Sequence, residues 1–476
     1  MHATRSALLG IVATAVLSAT RAPAQTTAVP ADYAAVLDSV VEREVHELGG
    51  AGVAVAIVRD DRVIYARGFG VRDVEGGAPV TPVMLFRVGS VTKMFTAALL
   101  LELADDGRID LDAPVARYLP WAPPKIGAIR VRQLLTHTAG LRDALAPRPM
   151  YDPSALEREC RSLADSSAFI GPAAPTGASW SYSNTGYALA GCVAEAAGKK
   201  PYAVLLSERL LTPLGMSRST VNPFEAVTSD FALGHDWTPA GPHLRRAYAA
   251  AAPDAPAADL ITSVNELARF VIALMNGGRI DGRQAIPTAV VERMLRPEVE
   301  ALYSRSTDPT RYGYGLYHRE WRGVTLVEHL GRYEGFAADV VMVPSRQFAV
   351  TVAANTGGTY FEDTKRRAFE LGLPLAAPAP LTPAAPGPGA ELDAAGTYGF
   401  AANTIQLSVS EGTLRFRQDT ATRALIRVRR DVYSVPRPPG FGPVAAVALY
   451  IIRDSVGRAA AISYFNRIRP RITEKP

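Results

Sequence analysis

The chain has 476 residues, a formal charge of +5, and a composition that is 48% hydrophobic and 20% charged, which fits a soluble globular protein with one large core and room for a second small one. Its Lys and Arg residues form no stripe with interleaved aromatics, which argues against a nucleic-acid partner. No stretch beyond the N-terminus reaches about 18 clean apolar residues, which argues against a membrane span.

Residues 1–24 read as an export signal: Arg5 gives a positive end, Ala7 to Ala19 is mostly apolar, and Ala22-Pro23-Ala24 is a small-residue cleavage site before Gln25. A secreted or periplasmic location is therefore expected. Tyr33 to Leu48 has the spacing of an amphipathic helix closed by Gly49 and Gly50. Val53 to Val58 and Val63 to Gly68 flank the polar turn 59–62 and predict a hairpin. Leu85 to Val88 leads to Gly89 and Ser90, and Phe95 to Ala104 is a strong helical run, so Ser90 falls near a helix start with Lys93 one turn on. Leu111 to Pro120 and Leu134 to Leu141 predict short turns and helices. Helices are predicted over Gly186–Ala197, Tyr202–Leu211, Asn265–Asn276 and Pro287–Leu295; Ser263 and Glu266 form a capping box before the third.

From Thr325 the period changes to that of strands: Thr325–His329, Ala337–Val343 and Phe348–Ala354, with a turn at 344–347 and a final helix over Thr364–Leu371. Strands, many helices, strands and a helix predict an α+β domain over residues 30–372 whose antiparallel sheet joins early and late strands. Residues 373–391 carry six prolines and no charge between Pro374 and Ala390 and read as a stiff linker. Residues 392–476 show short strand-like runs separated by turns, a small all-β domain of barrel or sandwich type. The two cysteines, Cys160 and Cys192, fit either a disulfide or buried thiols. Neither they nor the seven histidines show metal-ligand spacing, so no metal or other cofactor is expected.

Three short segments carry chemistry. In Ser90-Val91-Thr92-Lys93, a lysine one turn from a serine can take its proton if burial lowers the amine's pKa, and the run Met94 to Ala98 beside it is largely apolar. In Tyr182-Ser183-Asn184, a phenol and an amide two residues apart face the same way on an extended segment: the phenol suits proton relay, the amide suits holding a carbonyl. In His329-Leu330-Gly331, a strand edge can line a substrate, and the glycine permits close backbone approach.

These three elements in this order resemble the penicillin-recognising serine hydrolases, the group of class C β-lactamases, DD-carboxypeptidases, D-aminopeptidases and related esterases, whose pattern is S-x-x-K, Y-x-N, then K-T-G or H-x-G. Phe86 to Gly89, Leu134 to Leu141, Leu210 to Met216 and Tyr314-Gly315 extend the likeness over roughly residues 30–372. The resemblance implies a β-lactamase/transpeptidase-like domain with a central antiparallel sheet flanked by helices, and a small all-β C-terminal domain like those appended to several members. It implies that Ser90 forms an acyl-enzyme, that Lys93 and Tyr182 share the proton transfers, that Asn184 orients the substrate, and that the N–H groups of Ser90 and Arg332 form the oxyanion hole. His329, Gly331 and Arg332 would line the substrate, a small molecule or peptide with a D-amino-acid residue or an ester. His137 reads as a satisfied core histidine. Two departures argue against efficient β-lactam hydrolysis and leave a DD-carboxypeptidase, a β-lactamase or a silent binding module as other readings. His329 stands where most β-lactamases carry lysine, and Arg332-Tyr333-Glu334 stands where relatives carry small residues and a proline. Arg332 is open to pairing with a substrate carboxylate, pairing with Glu334, or facing solvent.

Overall fold

The computed structural model describes residues 32–143, 156–171, 174–246, 254–378, 392–400, 403–418, 421–436 and 447–472. The expected export segment 1–24 and most of the expected linker 373–391 lie outside them.

Helix α1 (Tyr33–Leu48) ends at Gly49 in a left-handed cap. It leads into β1 (Gly52–Arg59) and β2 (Arg62–Gly70), the predicted hairpin. Late in the chain β3 (Val299–Ala301), β4 (Thr310–Tyr312), β5 (Tyr317–Trp321), β6 (Val324–Tyr333), β7 (Phe336–Val343) and β8 (Phe348–Ala354) follow. All eight join one sheet in the order β2-β1-β8-β7-β6-β5-β4-β3. The antiparallel pairing of β1 with β8, Val53 opposite Ala354, is the predicted junction of early and late strands. Every residue of β1, β7 and β8 is buried, because helices cover both faces at the sheet's centre.

On one face lie α1 and α6 (Glu362–Gly372). The other face carries the larger core, built round α2 (Thr92–Asp105), α4 (Asn184–Gly198) and α5 (Val264–Met275). Helix α2 is buried from Thr92 to Leu103 without a break, so it is a central rod rather than an amphipathic surface helix. Helix α3 (Leu156–Ser166) is joined to α4 by a Cys160–Cys192 disulfide, Cα–Cα 6.7 Å, which settles the open cysteine question. Ser263 caps α5 by accepting from Glu266 N–H. The predicted box is only half made, because the Glu266 carboxylate instead accepts from Arg218 N–H and the Ser219 hydroxyl.

The predicted strand 325–329 is longer than expected. β6 runs ten residues to Tyr333, so the His329-Leu330-Gly331 segment lies inside it rather than at its end. Its neighbour β5 pairs only as far as Tyr317 opposite Glu328. The edge of β6 beyond Glu328 is thus open, and the turn around Gly89 occupies it. A Cβ on Gly331 would sit 1.8 Å from Val88 O, and one on Gly89 (φ +53°) 2.6 Å from Arg332 N. Both glycines let two backbones touch where no side chain fits.

The C-terminal residues form two antiparallel sheets. One holds β9 (Gly396–Phe400), β10 (Asn403–Ser410), β11 (Thr413–Gln418) and β12 (Ala421–Ala424). The other holds β13 (Ile426–Arg429), β14 (Val432–Val435), β15 (Val447–Arg453), β16 (Ala459–Tyr464) and β17 (Arg467–Pro470). A bridge between Tyr398 and Arg471 links them around a core of Tyr398, Ile405, Phe416, Leu449 and Ile462. This unit packs on the main domain through Ile468 and Ala461 against Ile170 and Ala174. The start of the linker is pinned as well: Ala376 exchanges hydrogen bonds with Arg322.

Gly331→Ala forces β6 away from Val88. We predict a loss of about 1–3 kcal/mol of stability together with loss of Ser90 reactivity, read by thermal unfolding and by labelling with a fluorophosphonate. A variant as stable and as reactive as the parent would show that the close approach is not required.

Candidate active site

Ser90 sits in a single 3-10 turn, Gly89–Val91, that feeds directly into α2. Two threonines of α2 then fix the segment opposite. Thr92 Oγ1 accepts from Leu260 N–H at 2.9 Å and Thr96 donates to Pro256 O at 2.6 Å. That places Ala257 O over Lys93.

Lys93 is fully buried. Its Nζ lies 2.7 Å from Asn184 Oδ1, 2.8 Å from Ala257 O and 3.2 Å from Ser90 Oγ. Burial, with Arg467 adding to it, pulls the amine down to about 7 against the opposing pull of Asp143 and Asp254. A neutral amine has two N–H bonds and one lone pair. The two carbonyl-type oxygens take the N–H bonds, which leaves the lone pair for the Ser90 hydroxyl.

Tyr182 completes the triad of contacts. Burial raises its phenol well above its ordinary value, and the hydrogen bond with Ser90 and the charge of Arg467 only partly oppose this, so it remains a neutral O–H. The geometry holding it comes from His137. This residue adopts the left-handed conformation (φ +58°), unusual without glycine. Its carbonyl accepts from Ser181 N–H at 2.9 Å and its Nδ1 accepts from Ser183 N–H at 3.1 Å, bracketing Tyr182 on both sides. Burial, reinforced by Lys93, His329 and Arg467, keeps the imidazole neutral. It lies in the core as expected, but is only half satisfied: among the described residues Nε2 has no hydrogen-bond partner, and it is buried among the rings of Tyr182, Tyr187 and Tyr312.

Tyr182 and Asn184 do not share one extended segment. Ser183 is the extended N-cap of α4, accepting from Gly186 N–H, and Asn184 is the first helical residue. The Tyr182 phenol still reaches Ser90, and the Asn184 amide reaches Lys93. Asn184 is oriented from behind by Asp143, which accepts from its backbone N–H at 2.6 Å and from Nδ2 at 3.2 Å.

His329 is buried, its Nδ1 2.7 Å from Leu330 O and its Nε2 3.4 Å from Tyr312 OH. Burial and the charge of Lys93 hold it down to about 3, so it is neutral, and its ring centroid stands 6.3 Å from that of Tyr182. Arg332 projects, exposed, at the wall of the cleft. Glu334 does not pair with it: its carboxylate binds Arg245 at 2.7 Å. The Arg332 backbone lies against Gly89, so its peptide is beside the Ser90 turn.

Ser90, Tyr182, Asn184, His329 and Arg332 line a cavity of about 1350 Å³ whose far wall includes Phe465, Asn466 and Arg467 of the C-terminal domain. The four groups at or near the nucleophile that the motifs did not reveal are Asp143, Ala257 O, Asn466 and Arg467. Asp143 follows the Leu134–Leu141 segment by two residues and was within reach of that pattern. Arg467 lies 324 residues from its partner Asp143, and no local signal marks it. No cluster of His, Cys, Asp and Glu among the described residues is arranged to hold a metal ion.

A family model for beta-lactamase matches residues 37–373. Penicillin-binding protein 4 of Amycolatopsis lactamdurans is 27% identical over 363 residues, covering 71% of this chain and 92% of that protein. Protein flp of Staphylococcus aureus (strain MW2) is 23% identical over 336 residues, 68% of this chain but only 63% of flp, so the chain spans less than two thirds of that relative. Among solved structures, SurE, alone (TM-score 0.73) and with D-Leu (TM-score 0.71), is 25% identical and covers 92% of this chain and 99% of its own. The octameric penicillin-binding protein homologue from Pyrococcus abyssi shares the fold with a TM-score of 0.63 at 22% identity, over 91% of this chain and 99% of its own.

The buried amine gives a direct prediction. In protein labelled with ¹³Cε-lysine, the Lys93 resonance should titrate with a midpoint near pH 7, some three units below an ordinary lysine. A midpoint close to 10 would mean that the amine is solvated and charged at neutral pH.

Proposed function

The chain belongs to the beta-lactamase family, and from that premise we propose that it is a serine hydrolase that works through an acyl-enzyme on Ser90. The observation that carries this reading is the Lys93 amine, committed by two N–H bonds to Asn184 and Ala257 and turned by its third contact to Ser90 Oγ.

The steps follow from those contacts. Neutral Lys93 takes the Ser90 proton as Oγ attacks the substrate carbonyl carbon, and the carbonyl oxygen becomes an oxyanion. Backbone N–H groups of Ser90 and Arg332 are the donors suited to it. Tyr182, held as a neutral phenol, passes a proton to the leaving amine or alkoxide as the C–N or C–O bond breaks, and regains one from the Lys93 ammonium. Water then repeats the sequence in the deacylation direction and releases the acid.

For the substrate we propose a peptide carrying a D-amino-acid residue. The cleft beside Ser90 is open and bounded by residues of both domains, which supports an extended peptide. The likeness to SurE with D-Leu over both domains supports the D-configuration. We propose that the chain is exported as well, which the Cys160–Cys192 bond supports because it suits an oxidising compartment.

The test is a panel of D-Ala-D-Ala peptides, D-amino-acid amides, p-nitrophenyl esters and a chromogenic cephalosporin, each run beside Ser90→Ala. We expect release from D-residue peptides with kcat/KM at least tenfold above that for short esters, and none in Ser90→Ala. Turnover of the cephalosporin at roughly 1–10³ s⁻¹ would instead make it a β-lactamase. Reaction with esters alone would make it an esterase.

A further inference from the structure

The catalytic groups named so far all lie within residues 90–332, yet the C-terminal domain reaches them. Strands β16 and β17 are joined by the two-residue turn Phe465-Asn466, with φ of +50° and +64°. Both positions of such a turn favour Gly, Asn or Asp, so a phenylalanine there is held by its surroundings. The turn is fastened at four points. Asn466 O accepts from Tyr182 N–H at 2.9 Å. Asn466 Oδ1 accepts from Ser304 N–H at 2.6 Å, and its Nδ2 donates to Tyr317 OH at 3.3 Å. Ile468 N–H donates to Ser181 Oγ at 3.2 Å.

The next residue, Arg467, donates from Nε to Asp143 Oδ2 at 3.1 Å, with a second N–H from NH2 to the same oxygen. Its guanidinium stands 5.4 Å from the Tyr182 ring centroid. One unbroken series of contacts thus runs from the second domain to the nucleophile: Arg467 to Asp143, Asp143 to Asn184, Asn184 to Lys93, Lys93 to Ser90.

We propose that Arg467 is a positioning residue of the catalytic site, one that fixes the Asp143 carboxylate behind Asn184 and offsets its charge beside the Lys93 amine. This rests on the reading of Ser90 as nucleophile and Lys93 as its base. Asp143 has the geometry to orient Asn184, but a lone carboxylate beside the amine favours the ammonium form, which cannot take the serine proton. Arg467 supplies the cation that lets the orienting carboxylate be present without that penalty. Asp143 is accordingly held below the usual carboxylate range: burial raises it, and Arg467 and the Asn184 N–H more than reverse this.

Among the described residues, the titratable and charged groups facing Lys93 are Asp143 and His137 from the segments before α3, Tyr182 and Tyr187 beside and on α4, Asp254, His329 on β6, and Arg467 on β17. His137 and His329 are held neutral by burial, and the two tyrosines sit above their ordinary range because they are buried. The balance at the amine is therefore set mainly by Asp143 and Asp254 against Arg467.

An ion pair that merely glued two domains together would lower stability when broken but would not move Lys93 in opposite directions. The test is the ¹³Cε titration of Lys93 in the full-length chain and in Arg467→Gln, Asp143→Asn and the double variant, with the fluorophosphonate labelling rate at Ser90 measured beside it. Arg467→Gln leaves an unopposed anion, so the midpoint should rise by about one pH unit, with labelling at pH 6 about tenfold slower. Asp143→Asn leaves an unopposed cation, so the midpoint should fall. The double variant should return to within a few tenths of a unit of the parent. Midpoints that stay put in both single variants, or that move the same way in both, would overturn the proposal. An unreactive Ser90 in the parent would sink the hydrolase reading instead, and the lysine titration would still decide this one.

Discussion

A primary amine sealed in the protein interior is the constraint on which the rest of the site depends. An ammonium there lacks water, and burial therefore drives Lys93 toward its neutral form. A neutral amine still needs its two N–H bonds satisfied, because an orphaned buried donor costs about 1–3 kcal/mol. Asn184 and Ala257 O meet that need, and by doing so they aim the remaining lone pair. The threonines of α2, the capped start of α4 and the 255–258 helix are the means by which the fold holds those two acceptors in place. The same burial keeps Tyr182 protonated, so one physical cause prepares a base and an acid on either side of one hydroxyl.

The second structural condition is backbone proximity. The open edge of β6 beyond Glu328 is filled by the Gly89–Ser90 turn because both sides lack a Cβ at the contact. The Arg332 backbone is therefore held by the sheet and the Ser90 backbone by the turn packed against it. The C-terminal domain adds a third condition. Its hairpin turn hydrogen-bonds to the backbone of Tyr182 and forms part of the cavity wall, so the cleft beside Ser90 is lined by residues of both domains.

Much of this was legible in the sequence, and the reason is local spacing. Ser90 and Lys93 are one helical turn apart, Tyr182 and Asn184 two residues apart, and the hairpin at 53–68 and the strands after 325 show their periods plainly. The sheet's three further strands were not seen: 299–301, 310–312 and 317–321 are three to five residues long, too short to show an alternation. The strand expected over 325–329 runs on to Tyr333, while the close backbone approach expected at Gly331 is met by Val88 O. The partners that tune the site came from contacts across hundreds of residues, and neither Arg467 nor the carbonyl of Ala257 carries any mark of its role in sequence.

The central claim is that Ser90 becomes covalently acylated through its buried neighbours. It is tested most directly by intact-mass spectrometry of the protein with a slowly released acyl donor at pH 8 and pH 5, followed by peptide mapping. We predict one adduct, on Ser90, forming readily at pH 8 and much more slowly at pH 5. No adduct on folded protein, an adduct on another residue, or the same adduct in Ser90→Ala would contradict it.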